Sequence, residues 1–520
     1  MPIRMVDDPQ EPRQNDDGGG GRRGPNFPGG GGGGLGALLP LLLGLFRGKG
    51  GIVILLLVVG GYFLLNKSGG CNLSQVTSLF SQSGYSFDPN EFNKASVYEE
   101  LDETNPGNAL PEAVSLLQYA PQRLNQGQQG SCVAWSSAYA AQTILTSAAT
   151  HNDPNSIAFS PSYLYNQIRL DNCQGSYLQK AMESMQRNGG VALKDYPYND
   201  QDCERMPTGS DIQEGKQNTI HGFTRLTSGD NINAISVRAV KEHLAKDAPV
   251  VIGMMVGQSF MQPMMGQELW RPQGMDNSQM GMGGHAMCVI GYDDRKFGGA
   301  FQIMNSWGRE WGNNGVGWVR YGDFKEYVKE AYGIDPLPKR SDVANIPLEC
   351  NIGLVKNDDG QYIQLRAKGS NYFETTYPVQ KGTKFKIEIK NETECYIYIY
   401  GMETDGSNYV LFPYTNKHSP YCGITGFRKF PRESSLMADD AGDKDYMAIV
   451  VSKDELDYNA LNRAINQSTA ADYLGRVNDA VQNISIRSAR FNSTGDGRIY
   501  FKVDANDNKA VACVVAFYKN

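Results

Sequence analysis

The hydrophobic pattern divides the chain before any single residue is considered. Residues 1–34 hold no period: Asp, Arg, Asn and Pro precede a glycine run at 29–34, and a stretch with so little to bury is expected to be a disordered arm. Two nearly unbroken apolar runs follow, 35–46 and 52–65, separated by Arg47, Gly48 and Lys49. Each is shorter than the roughly 20 residues of a membrane-crossing helix, but flanking glycines extend the second to about that length, so 35–67 predicts one crossing. Residues 68–108 return to polar sequence with scattered aromatics and read as a tether. Beyond them, 132–145 is small and apolar on every side and reads as a helix. Ser160 and Pro161 open a second helix as N-cap and first-turn proline, and 249–257 reads as a buried strand.

From Leu348 the period changes to two. Phe385, Ile387 and Ile389 alternate with charged residues, and Tyr396, Ile397, Tyr398, Ile399 and Tyr400 continue the pattern after a turn. Ser452 with Glu455 forms a capping-box signature for a helix, a second helix carries Leu474, Val477 and Val481, and strands at 498–503 and 510–518 close the chain.

Composition narrows the class. A chain of 520 residues is too long for one core and predicts two or three folded units. Its net charge of −7, with no basic block outside the N-terminal arm, argues against a nucleic-acid partner. The 9 cysteines cannot all pair. Cys288 and Cys513 sit in apolar strand-like runs and are expected in the core.

One cysteine stands apart. The run 125–140 reads N-Q-G-Q-Q-G-S-C-V-A-W-S-S-A-Y-A, two glycine-bearing turns that hand over to a helix at Cys132. Free amides and the positive end of the helix dipole favour the thiolate there. Ser131 is placed as the N-cap, and Gln126 is placed to donate to an oxyanion. Downstream, Gly283, Gly284 and His285 lead into an apolar run, and Asn305-Ser306-Trp307-Gly308 follows.

In these residues, from about 109 to 335, the chain resembles the papain-like cysteine peptidases. The resemblance implies an α+β, two-lobed peptidase at 109–340, with a helical lobe and a β-barrel-like lobe. Cys132 would be the nucleophile, His285 the general acid/base and Asn305 the residue that orients the histidine. Gln126 would be the oxyanion donor, with Trp307 as a shield against water and neither metal nor cofactor involved. It departs from the family in having Val133 after the nucleophile, with Trp135 two places on, and Gln129 where a half-cystine is usual. Cys173-Gln174-Gly175-Ser176-Tyr177 resembles the loop lining the main specificity pocket, which implies substrate contacts at Gly175, Ser176, Tyr177 and Gly284. Cys173 and Cys203 lack their usual partners and are able to pair with each other. The resting pair at Cys132 and His285 is expected to be thiolate and imidazolium. Residues 68–108 look too short for the inhibitory propeptide of many such enzymes.

The methionine-rich loop before His285, with Met261, Met264, Met265, Met275, Met280 and Met282, reads equally as a yielding wall for substrate side chains or as an exposed insertion. Residues 348–520 more loosely resemble a β-rich domain appended to bacterial peptidases, with a protein partner as one reading. Arg22, Arg23, Arg47 and Lys49 precede the apolar segment and only Lys67 follows closely, which keeps the N-terminus cytoplasmic. The expectation is a single-pass membrane protein whose catalytic part faces the periplasm or cell surface. The reaction expected is peptide hydrolysis through an acyl-enzyme; acyl transfer to an amine and a non-catalytic scaffold are the alternatives.

Overall fold

The computed structural model describes residues 3–7, 84–273, 283–337, 347–504 and 509–520. Among these residues no helix is long and apolar enough to cross a membrane, and the apolar runs at 35–67 lie outside them.

The run of alanines and serines after Cys132 builds the helix at the centre of the first half. It starts as α-helix at Cys132–Ala134, widens to π-helix over Trp135–Gln142 and returns to α-helix at Thr143–Thr150. Every residue of the π segment is buried, as a helix of small side chains on all faces requires. Pro161–Ile168 packs against it, and the Ser160 hydroxyl accepts from the Tyr163 amide at 3.1 Å, the cap read from the sequence. Leu178–Asn188 completes the helical side.

The opposing sheet runs in the order Phe223–Arg225, Val328–Ile334, Val250–Val256, Gly283–Asp293, Ala300–Met304, Val316–Arg320, with Ala113–Ser115 also paired to Gly283–Asp293. The expected strand at 249–257 is its third member. Met287, Cys288, Val289 and Ile290 pack with Val133, Ala134 and Tyr139 of the helix in one core. The cleft lies at this helix–sheet junction.

In the C-terminal region two sheets enclose a second core. Lys384–Asn391 and Leu348–Lys356 are central in one, Lys444–Ser452 and Ala510–Tyr518 in the other. Period two explains the Tyr/Ile strand: Ile397 and Ile399 face the core between the sheets, while Tyr398 and Tyr400 lie under the helices Tyr458–Gln467 and Tyr473–Val481. The capping box at Ser452 does not form. Ser452 is paired in the strand ladder with Ala510, and the helix begins only after Asp457, whose side chain accepts from the Ala460 amide at 2.9 Å.

Two further expectations are corrected. Within the stretch expected as a disordered arm, Ile3–Asp7 forms a strand paired antiparallel with Ser434–Ala438, because that edge offers unpaired backbone groups. Within the stretch expected as a tether, residues 84–108 form a strap packed over the first half of the molecule. It contains a short helix, Pro89–Phe92, capped by the Asp88 side chain through the Asn90 amide at 2.8 Å.

Candidate active site

Cys132 is the first residue of its helix and is fully buried. Ser131 occupies the N-cap position without capping: its hydroxyl lies 2.7 Å from the Tyr198 hydroxyl, and its carbonyl accepts from the Ala134 and Trp135 amides. Tyr198 in turn donates to the Gln126 carbonyl at 2.6 Å, so it ties the oxyanion-loop backbone to the nucleophile turn. Trp135, two places after the usual aromatic position, packs edge-on against Tyr139 and Tyr198.

His285 lies on the strand Gly283–Asp293, and Asn305 directly follows the neighbouring strand Ala300–Met304. Cys288 pairs with Met304, and counting that antiparallel register outward brings His285 opposite Trp307. The rings do stack, with centroids 4.3 Å apart and 25° between planes. Asn305 Oδ1 accepts from the Ser306 amide at 2.7 Å, which fixes the orientation of the side-chain amide. The 2.7 Å contact from His285 Nε2 to the same oxygen therefore requires the proton on Nε2. Nδ1 is left with its lone pair and has no hydrogen-bond partner among the described residues. The next amide along, Ala286 N, lies 3.5 Å from Cys132 Sγ, so the strand that carries His285 touches the nucleophile.

Gln126 is buried behind them. Its Oε1 accepts from the Ser306 hydroxyl at 2.6 Å and its Nε2 donates to the Gln129 carbonyl at 2.9 Å. Ser306 thus links the asparagine turn to the oxyanion side.

The cleft is filled by the chain itself. Ser86 N donates to the Ser176 carbonyl at 3.0 Å and Ser176 N donates to the Gly84 carbonyl at 2.8 Å, a parallel bridge centred on Tyr85. The approach is close enough to need glycine: a Cβ on Gly175, whose φ is +94°, would stand 2.4 Å from the Gly84 oxygen. The Tyr85 ring covers Gly253, whose added Cβ would lie 2.2 Å from the ring, and Gly284, whose Cβ would lie 2.5 Å from the Tyr85 carbonyl. Ser176 and Gly284, expected to contact substrate, thus contact the strap. Gly175 also donates to the Tyr165 hydroxyl, while Tyr177 serves as the N-cap of Leu178–Asn188 and carries Lys180 over its ring. Cys173 and Cys203 form a disulfide that ties down this loop.

Burial opposes the ionisation expected of the pair. Burial pushes the Cys132 thiol up to about 11 despite amide donors at Ala286, Gly84 and Val133, and burial pulls His285 down to about 4 despite the Asn305 bond. Burial thus favours the neutral thiol and the neutral imidazole over the thiolate and imidazolium expected from the sequence.

Glu330 was missed altogether. It lies beside the Tyr85 hydroxyl, accepts from the Tyr332 hydroxyl at 3.0 Å, and burial raises its carboxyl to about 8. Tyr85 itself was legible only as part of a weak signal, the aromatic spacing of Tyr85 and Phe87 before the Asp88-Pro89 helix start. Of the methionine loop, Met264 is buried beneath Trp311 and Met265 is exposed, while Met275, Met280 and Met282 lie outside the described residues.

A helix-borne thiol, an imidazole of fixed tautomer and an orienting amide on a helix–sheet junction define the class of thiol proteases. Residues 116–334 match the family model described as papain family cysteine protease. Cathepsin K of Mus musculus is 29% identical over 193 residues, which are 37% of this chain and 53% of that protein. Cysteine proteinase 3 of Entamoeba histolytica is 25% identical over 209 residues, 40% of this chain and 62% of that one. The chain thus spans little more than half the length of these relatives. Among solved structures, xylellain, a cysteine protease from Xylella fastidiosa, aligns with a TM-score of 0.41 at 21% identity, covering 49% of this chain and 97% of that one.

Proposed function

We propose that the chain hydrolyses peptide bonds through a thioester and is latent as long as residues 84–87 occupy its cleft. The observation that carries the reading is His285: Nε2 is committed to Asn305, Nδ1 keeps its lone pair, and the amide of the next residue, Ala286, lies 3.5 Å from the Cys132 sulfur. Once the strap leaves, water and substrate enter and the burial that holds the pair neutral is relieved. The Sγ proton passes to Nδ1 while sulfur attacks the carbonyl carbon, and the C=O electron pair moves to oxygen. The Cys132 amide, and a Gln126 Nε2 hydrogen turned from its resting position, receive that charge. As the pair returns, the C–N bond breaks and His285 gives its proton to the leaving amine. A water that loses its proton to His285 then attacks the thioester, and the acid departs as the proton returns to sulfur. Trp307, stacked on the imidazole, keeps water from the His285–Asn305 bond.

The substrate is a peptide or protein, and residues 35–67 hold the enzyme at a membrane. The Cys173–Cys203 disulfide supports an oxidising, extracytoplasmic location for the catalytic part. Protease added to intact spheroplasts tests the location: the catalytic part is expected to be digested, and a protected catalytic part removes it.

The reading of activity is tested with Tyr85→Ala, which opens the cleft without touching a reacting group. Peptide hydrolysis should appear together with covalent labelling of Cys132. Labelling without hydrolysis or any thioester intermediate would leave a binding fold in place of an enzyme.

A further inference from the structure

The strap does not stop at the cleft. Residues 97–108 continue into a seam between the papain-family part and the C-terminal region and are held from both sides. On the papain-family side the Tyr98 amide donates to the Arg225 carbonyl at 3.1 Å, and the Leu101 amide donates to Glu242 at 3.2 Å. On the C-terminal side the backbone is held as if it were another strand. Val97 N donates to the Lys417 carbonyl at 2.6 Å, Ser419 N donates to the Val97 carbonyl at 3.1 Å, and Asp102 N donates to the Phe427 carbonyl at 2.9 Å. Asn108 closes the segment: its side chain donates to the Phe427 carbonyl and accepts from the Phe427 amide, each at 2.9 Å, and also donates to the Asp102 carbonyl at 2.8 Å.

Charge adds specificity to this backbone recognition. The strap carries Glu99, Glu100 and Asp102, and the C-terminal surface meets them with Arg428, Arg432 and Lys429. Arg432 Nη2 lies 2.6 Å from Glu100 Oε2, and Lys429 Nζ lies 3.0 Å from Asp102. Arg428, itself fully buried, donates from Nε to the Glu99 carbonyl at 2.9 Å and from Nη1 to Asn391 at 2.8 Å. Glu99, Glu100 and Arg428 are all nearly inaccessible, so neither side keeps these groups satisfied without the other.

We infer that the C-terminal region is the receptor for the chain's own acidic segment 97–108, and that by gripping this segment it keeps residues 84–87 in the cleft. The inference rests on the reading that the strap covers the thiol, and it assigns to the β-rich region a task at the cleft although it supplies no reacting group. Strap and cleft meet at Tyr85; strap and receptor meet some fifteen residues on. Disturbing the second contact therefore opens the first through the intervening chain.

The test uses the full chain and measures the rate at which iodoacetamide modifies Cys132 at neutral pH, a readout that needs no substrate. Arg432→Glu, which sets like charges at Glu100, is expected to speed modification about tenfold or more, and Glu100→Arg combined with Arg432→Glu to restore the slow rate. Should Arg432→Glu fail to fold, Lys429→Glu against Asp102 reports the same contact from the half-exposed rim, with Asp102→Lys as its rescue. Tyr85→Ala, which leaves the receptor intact, separates the two readings. Fast modification in Tyr85→Ala with slow modification in the folded charge variants overturns the receptor and keeps the occlusion. Slow modification in every variant overturns both.

Discussion

Two regions meet at Cys132 and bury it for opposite ends. The downstream region, His285 on its strand and Asn305 and Trp307 on the following turn, sets an imidazole of fixed tautomer on the strand that touches the sulfur, the relay of the proposed reaction. The upstream region, Gly84 to Ser86, closes the same sulfur off from water and substrate. Both contribute backbone amides to the thiol, from Ala286 in one case and Gly84 in the other. The difference teaches that a complete set of reacting groups and a working site are separate structural achievements. Here the second is withheld by residues that precede the first in the chain.

The comparison breaks most sharply if the downstream region is not a relay. In a Tyr85→Ala background, Cys132→Ala and His285→Ala should each lower kcat/KM for a peptide substrate by about 10⁴-fold or more, as seen when a member of such a relay is lost. Hydrolysis that survives either change would assign the chemistry to another group. Gln126→Ala in the same background should lower turnover by about 10²–10³ while leaving alkylation of Cys132 largely unchanged, because an oxyanion donor acts only after the sulfur has attacked. Parallel loss of alkylation would make Gln126 a structural support for the turn.

The upstream region is tested by removing its anchor. Tyr85→Ala deletes a buried aromatic ring, a loss of about 3–5 kcal/mol by the usual cost of such truncations, so alkylation of Cys132 in the otherwise unaltered chain should rise by about 10²-fold or more. An unchanged rate would mean that the strap is held without Tyr85.

A smaller effect depends on pH. In the closed state burial raises Glu330 to about 8, with Tyr85, Tyr332 and Asp88 facing it. A carboxyl that binds its proton more tightly closed than open stabilises closure fully below its open-state value and loses that contribution as pH rises through 8. Opening should therefore increase from pH 6 to pH 8.5. Alkylation, corrected for the thiolate fraction of an opened Tyr85→Ala protein, should rise about tenfold over that range. Glu330→Gln should flatten the rise; an unaltered rise would move the switch to Glu99 or Glu242, both raised to about 7 by burial in the receptor seam.

What the sequence made legible follows the same division. Cys132, His285 and Asn305 were readable because each lies in a few residues whose local chemistry is sufficient: a turn into a helix, glycines before a strand, an Asn-Ser-Trp turn after one. The alternation at Phe385, Ile387 and Ile389 predicted a strand for the same reason, and all three are buried. The strap was unreadable because its partners at Ser176, Arg225 and Phe427 are scattered across several hundred residues, and a polar segment satisfied by distant backbone has no period of its own. The neutral state of the thiol was hidden for a related reason: helix position is local, whereas burial is tertiary. Ser452 shows the rule in small. Its capping signature was correct as local chemistry and lost to strand pairing with Ala510.

The strap's covalent continuity with the cleft also sets how latency responds to concentration. A segment joined to its own binding site is present at an effective concentration of roughly millimolar, however dilute the enzyme becomes. On the proposed latency, dilution is not expected to activate the protein, because substrate competes with a segment that stays attached. The exposed turn at Glu103 and Thr104 is where this ends. On the same proposal, one cut there would turn the strap from a part of the molecule into a partner of finite affinity, so that activity would come to depend on how many molecules share the volume.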